Sequence, residues 1–203
     1  MISIGITGGI GSGKSYVCQI FESMGYRVYY ADERARLLMN THPAIISGVQ
    51  ALFGPESYLE GALNRPFISQ IVFQQPEKLQ ALNRLVHPET GRDYLHWAAE
   101  TPEDYTRPFI LKEAAILYES GAYLTTDAVV SVYAPKTLRL ARVQQRDQAQ
   151  AEAVMNRMDK QWTELEKMRR ADRIIFNDGV HAPEAQVAAC IRFFADKWAG
   201  NQP

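Results

Sequence analysis

Residues Gly8-Gly9-Ile10-Gly11-Ser12-Gly13-Lys14-Ser15 fit the pattern G-x-x-x-x-G-K-[ST], and no other stretch limits the fold as tightly. The pattern needs a strand before it and a helix after it. Its glycines must turn the backbone sharply enough to aim successive N–H groups at phosphate oxygens. Both neighbours are in place: Ile2–Thr7 reads as an apolar strand and Lys14–Met24 as a helix. The helix start adds its positive end to the same anion site. Lys14 is then placed to reach the β- and γ-phosphates, and the Ser15 hydroxyl to ligate Mg²⁺.

Four further runs read as strands: Arg27–Tyr30, Pro108–Lys112, Ala128–Tyr133 and Arg173–Phe176. They lack strict alternation, as strands covered on both faces do. Helical stretches lie between them, including Phe67–Gln74, Lys136–Arg146 and Ala149–Arg170. This alternation predicts an α/β protein with a five-stranded, mainly parallel sheet in three layers. Residues from about Asp32 to Tyr105 differ. They are turn-rich, punctuated by Pro43, Pro55, Pro66, Pro76, Pro88 and Pro102, and show no strand pattern. The segment is too long for a simple crossover and predicts an inserted helical lobe. The resulting division is a core of 1–31, 106–135 and 171–203, a lobe of about 32–105, and a lid of about 136–170.

Composition narrows the setting. Hydrophobic residues are 46% and charged residues 22%, which suits a soluble globular chain and excludes a disordered one. Twenty-two Lys+Arg against 23 Asp+Glu leave a net charge of −1, which argues against coating nucleic acid. The 2 cysteines are too few for a disulfide framework. The longest stretch without an acidic or basic side chain, Leu37–Pro55, carries Asn40, His42, Pro43 and Gln50 and would not span a bilayer. A cytoplasmic protein without membrane partners is expected; the oligomeric state is not legible.

The class of phosphate-loop protein follows by elimination. A GTPase needs D-x-x-G and N-K-x-D segments, and neither is present. A compact phosphotransferase remains. Ligands of a parallel sheet bind beyond the strands' carboxyl ends, where the second strand delivers Asp32. Its carboxylate suits either a general base for an acceptor hydroxyl or the N-cap of a helix over Glu33–Met39. Arg139, Arg142 and Arg146 share one helix face. The segment from Lys136 to Arg173 holds ten Lys+Arg against six Asp+Glu. That face is either solvated surface or a lid whose arginines close over a triphosphate.

The chain resembles the dephospho-CoA kinase family along essentially its whole length. The likeness runs from Gly5-Ile6-Thr7 through Ser15 to Ala31-Asp32, Ala35-Arg36, Phe53-Gly54, Asn64-Arg65, Ile71-Val72-Phe73 and His87-Pro88. It continues with Ile116-Leu117-Tyr118-Glu119, Arg142, Arg146-Asp147, Arg157 with Gln161, and Ala171-Asp172 to Asn177-Asp178-Gly179. The resemblance implies ATP-dependent phosphorylation of the ribose 3′-hydroxyl of dephospho-CoA, the last step of coenzyme A synthesis. By position it implies a nucleotide cradle of Gly9, Ile10, Gly11, Ser12, Gly13, Lys14, Ser15 and Tyr16, with Arg142, Arg146 and Asn177. It makes Asp32 the base, Lys14 and Arg146 its catalytic partners, Ser15 the Mg²⁺ residue, and Asp32, Arg65 and His87 the acceptor-binding residues.

Several residues depart from the family pattern. Tyr16 replaces the usual Thr, Tyr30 the first carboxylate of Asp-Ala-Asp, Asn64 an Asp, and Arg139 a Gln; the family's arginine after His-Pro is out of register, and Arg92 is not assigned its role. His87 reads equally as a helix cap beside Pro88, and Glu119 as a structural acid or a partner of Mg²⁺. Two other functions stay open: a kinase for another small acceptor such as a nucleoside monophosphate, and a nucleotide-binding protein that has lost catalysis.

Overall fold

The computed structural model describes residues 1–199; the last four residues of the expected core lie outside it. β1 (Ile2–Thr7) leads through the glycine-rich loop into α1 (Lys14–Ser23). There follow β2 (Val28–Tyr30), α2 (Ala31–Thr41), α3 (Pro43–Phe53), β3 (Tyr58–Leu59), β4 (Ala62–Leu63), α4 (Arg65–Gln74) and α5 (Pro76–Ala99). β5 (Phe109–Glu113), β6 (Ala128–Tyr133), α6 (Lys136–Asp147), α7 (Ala151–Met158), α8 (Glu164–Arg170), β7 (Arg173–Phe176) and α9 (Pro183–Ala199) complete the described chain. The chain forms two compact units: residues 1–30 together with 102 onward, and Ala31–Thr101.

In the first unit five parallel strands are ordered β2-β5-β1-β6-β7. Register sets Ile4 beside Leu111 on one side and Ala128 on the other. Alternate residues of each strand (Ile4 and Ile6, Phe109 and Leu111, Val130 and Val132) bury one face against Val17 and Phe21 of α1 and Val187 and Phe194 of α9. Each such side chain contributes roughly 1.5–3 kcal/mol on burial. From β1 the chain moves first to β2 and β5 on one side, then to β6 and β7 on the other. That reversal opens a crevice at the carboxyl end of β1, where the phosphate loop begins.

β7 is an edge strand, and Gln186 of α9 covers its end. The Gln186 amide donates to the Phe176 carbonyl at 2.8 Å and accepts from the Phe176 N–H at 2.8 Å. One reading needs correction here: the helix expected over Ala149–Arg170 is two helices, α7 and α8. Thr163 starts the second one with a capping box. Its hydroxyl accepts from the Glu166 N–H and the Glu166 carboxylate accepts from the Thr163 N–H.

The second unit packs α2 to α5 around Ile45, Val49, Phe53, Ile68 and Val86. It also holds a strand pair that the sequence does not announce, β3 and β4. Their turn puts Glu60 and Gly61 at φ 50 and 80, the left-handed pair that a tight hairpin requires. Strands of two residues are too short to show a period. Pro88 lies inside α5 rather than at a break, so His87 is a mid-helix residue and not a cap. No described helix is long and apolar enough to cross a membrane.

Candidate active site

The phosphate loop closes on itself through the Ser12 N–H, which donates to the Gly9 carbonyl at 3.0 Å. Gly13 ends the loop at φ 87, ψ 29 and precedes α1. Any side chain there would meet the Asn177 amide as well as the left-handed backbone. Lys14 follows, with its Nζ 3.9 Å from the Glu113 carboxylate; both side chains are buried. A cavity of about 200 Å³ opens over the helix start, lined by Gly11, Gly13, Lys14, Ser15, Arg142, Val143 and Arg146. Three cations and the positive end of α1 thus face one small space, and a chain of phosphates is the anion that such a space suits. The Ser15 hydroxyl is at the exposed rim.

α6 supplies the arginines. Arg142 donates to the Asn177 carbonyl at 3.1 Å. Arg146 is paired with Asp147, to which it donates at 2.7 Å from Nε, and Asp147 also accepts from Arg157 at 2.8 Å. These two guanidinium groups hold the Asp147 carboxyl down to about 2. Arg139 does not join them at the cavity. It is buried against Glu164, 3.4 Å away, so the cationic face is divided into an inner arginine and two outer ones. Asn177, one residue beyond β7, is buried, and its side-chain N–H donates to the Ser12 carbonyl at 2.8 Å, tying the last strand to the loop. The Tyr16 hydroxyl donates to Glu184 at the start of α9, 2.7 Å away. The Tyr30 hydroxyl donates to Glu22 at 2.9 Å, and burial with that carboxylate pushes its pKa far up.

Glu113 and Glu164 escaped the sequence reading; Gln161 and Glu119 were singled out there, but not for the contacts they make. Glu113 was lost because β5 extends one residue past the expected Lys112. A carboxylate at the carboxyl end of the strand beside β1 was the available signal. Gln161 and Glu164 accept from the Ile10 and Gly9 N–H groups at 2.8 and 2.9 Å. Glu119 accepts from the Lys167 ammonium at 2.9 Å and from the Trp162 N–H at 2.9 Å, tying α8 to the segment after β5.

In the helical unit, Asp32 sits in the first turn of α2, inside the helix rather than capping it, because α2 already begins at Ala31. It is two residues past the end of β2. Partial burial lowers the His87 pKa, and the Asp32 charge partly offsets this. Arg65 is exposed at the first position of α4, behind the Asn64 cap, whose side chain accepts from the Phe67 N–H at 3.3 Å. Arg92 is paired with Glu89. Among the described residues no cluster of three or more His, Cys, Asp or Glu side chains could hold a metal.

A parallel sheet reversing at β1, a phosphate loop on its rim and a cationic helix beside the loop define a P-loop phosphotransferase. The profile of the dephospho-CoA kinase family matches residues 2–182. A dephospho-CoA kinase of Chlorobaculum tepidum is 42% identical over 181 residues, covering 87% of this chain and 86% of its own. Among solved structures, one from Thermus thermophilus aligns with TM-score 0.81 at 32% identity, over 95% of this chain and 96% of its own. A dephospho-CoA kinase from Campylobacter jejuni aligns with TM-score 0.66 at 27% identity, over 98% of each chain. The chain belongs to the dephospho-CoA kinase family, whose members are ATP-using kinases of coenzyme A biosynthesis.

Proposed function

We propose that this chain transfers the γ-phosphoryl group of ATP to the ribose 3′-hydroxyl of dephospho-CoA, with Asp32 as the general base. The observation that carries the nucleotide half is the cavity shared by Lys14, Ser15, Arg142 and Arg146. The acceptor half rests on family membership and on the place of Asp32 two residues after β2.

In this mechanism the N–H groups of Gly13, Lys14 and Ser15 at the start of α1, with the Lys14 ammonium, hold the β- and γ-phosphates, while the Gly9 and Ile10 N–H groups stay on Glu164 and Gln161. Asp32 accepts the 3′-hydroxyl proton as that oxygen bonds to the γ-phosphorus. The bond from phosphorus to the β-bridging oxygen breaks, and ADP leaves. Arg142 and Arg146 neutralise charge that spreads over the transferring group; one such arginine is worth roughly 10³–10⁵ in rate. Arg146 first gives up part of its hold on Asp147. Residues 136–170 act as a lid whose closure excludes water. The helical unit contributes Arg65 and His87 to acceptor binding.

The residues fit Mg²⁺, which takes hard oxygen ligands and keeps several waters. Ser15 offers an exposed hydroxyl and Glu113 a carboxylate near Lys14. Mg²⁺ would supply charge neutralisation on the β- and γ-oxygens. The setting we propose is the cytoplasm.

Asp32→Asn tests the base. ADP release with dephospho-CoA is expected to fall by about 10²–10⁴-fold with ATP affinity unchanged. Unchanged turnover would remove Asp32 from the role. Turnover of a nucleoside monophosphate panel with none of dephospho-CoA would replace the acceptor.

A further inference from the structure

We infer that Arg139 and Glu164 form a charge-paired clamp that positions the Gly9–Ile10 turn of the phosphate loop for ATP. Either charge alone is worse for nucleotide binding than neither. The inference rests on ATP occupying the phosphate loop and deepens that reading.

The first turn of the loop is held from outside, by side chains more than a hundred positions away in the chain. The Gly9 N–H donates to the Glu164 carboxylate at 2.9 Å and the Ile10 N–H to the Gln161 side-chain oxygen at 2.8 Å. The Ile10 carbonyl accepts from the Arg139 guanidinium at 3.3 Å, and the same nitrogen lies 3.4 Å from Glu164. Two donors and one acceptor of consecutive peptide groups are therefore taken by three side chains, two of them ionised. Gly9 lies directly against the pair: any Cβ on it would strike both the guanidinium and the carboxylate.

The pair is closed to solvent, with side-chain exposures of 9% for Arg139 and 11% for Glu164. Arg139 Nε and Glu164 Oε2 are buried with no hydrogen-bond partner among the described residues. Lys167 feels the Glu164 charge, but its ammonium is held by Glu119 and the Ala115 carbonyl. A lone buried charge left by deleting its partner costs more than a neutral pair in the same place. The break between α7 and α8 makes the clamp possible. It sends Gln161 to the loop, and the Thr163 capping box fixes Glu164 as the first residue of α8.

Arg139 and Glu164 touch loop backbone and not the phosphate cavity, so they are positioning residues. Arg139, a departure from the usual family residue, acquires a role different from that of Arg142 and Arg146.

The test is a double-mutant cycle of Arg139→Gln, Glu164→Gln and the pair together. Calorimetric affinity for a non-hydrolysable ATP analogue is measured first, then KM for each substrate. Each single change is expected to weaken the analogue about tenfold, with the pair recovering to within about threefold of wild type, as coupled neighbours do. Glu164→Gln keeps an oxygen for the Gly9 N–H, whereas Arg139→Gln gives up the guanidinium's reach to the Ile10 carbonyl along with its charge. KM for ATP should rise while KM for dephospho-CoA moves less than about twofold, a split that general loss of structure does not produce. Losses that multiply independently in the pair, or that strike both substrates alike, overturn the clamp. If a single variant does not fold, amide exchange of nucleotide-free wild type decides. A protected Gly9 amide, the one bonded to Glu164, supports the clamp, and a Gly9 amide exchanging as freely as an open loop overturns it. Wild type that binds the analogue without phosphorylating dephospho-CoA would refute the acceptor reading and leave the cycle interpretable.

Discussion

The phosphate loop and the helical unit of Ala31–Thr101 are held together in different ways. Around the loop the polar contacts join residues far apart in sequence: Glu164 to Gly9, Gln161 to Ile10, Asn177 to Ser12. In the helical unit many are one helical turn apart, as in Thr41 to Leu37, Asn40 to Arg36 and Thr90 to Val86. A longer-range pair is Arg34 with Asp93, to which the Arg34 Nε donates at 2.7 Å. The cohesion of that unit comes chiefly from the apolar cluster of Ile45, Val49, Phe53, Ile68 and Val86. A site that must hold a polyanion in one pose needs distant elements to agree on a single backbone turn. A bundle of helices needs only well-matched apolar faces.

The sharpest way to break this contrast is Lys14→Ala. Turnover should fall by roughly 10²–10³-fold, because a preorganised cation facing the transferring charge is lost. The urea midpoint should fall as well, because the buried Glu113 carboxylate loses the Lys14 cation. A large loss of stability with normal turnover would mean that Lys14 is structural. The converse change is Ile45→Val, in the helical core. It should cost about 0.5–1.5 kcal/mol in a urea titration and leave ATP affinity intact. A change in ATP affinity instead would show that the two regions are energetically one.

The smallest effect sharpens the contrast through pH. Burial disfavours the His87 imidazolium more than the Asp32 charge restores it, so its folded pKa lies below the ordinary 6.5. The unfolded chain then binds the proton more readily. The stability contribution is fully present above pH 6.5 and is lost as pH falls below that value. The urea midpoint of wild type should decline more steeply than that of His87→Gln as pH is lowered from about 7 to about 5. Parallel curves would show that His87 titrates as it does in the unfolded chain.

How much of this was legible follows the same divide. The five core strands are readable because their apolar runs end at real punctuation, such as Pro135 after β6. The phosphate loop is readable because its chemistry sits in consecutive residues. Hidden features depend on the fold to bring them together. Glu164 has no local mark of contact with Gly9. Pro88 looks like a helix stop and is absorbed within α5. The apparent helix over 149–170 hides its break because Asp159-Lys160-Gln161-Trp162 contains no Gly or Pro; only Thr163 with Glu166 three residues later marks the restart. Arg139 belongs to the same face as Arg142 and Arg146 by spacing, and burial alone separates it from them.

The Gln186 amide occupies the end of the β7 edge. An uncovered strand edge invites a second chain to dock its backbone there, the first step toward a continuous sheet between molecules. By offering one donor and one acceptor to Phe176, Gln186 satisfies the two groups that a visiting strand would seek. One side chain thus stands in for a neighbouring strand at that end of β7.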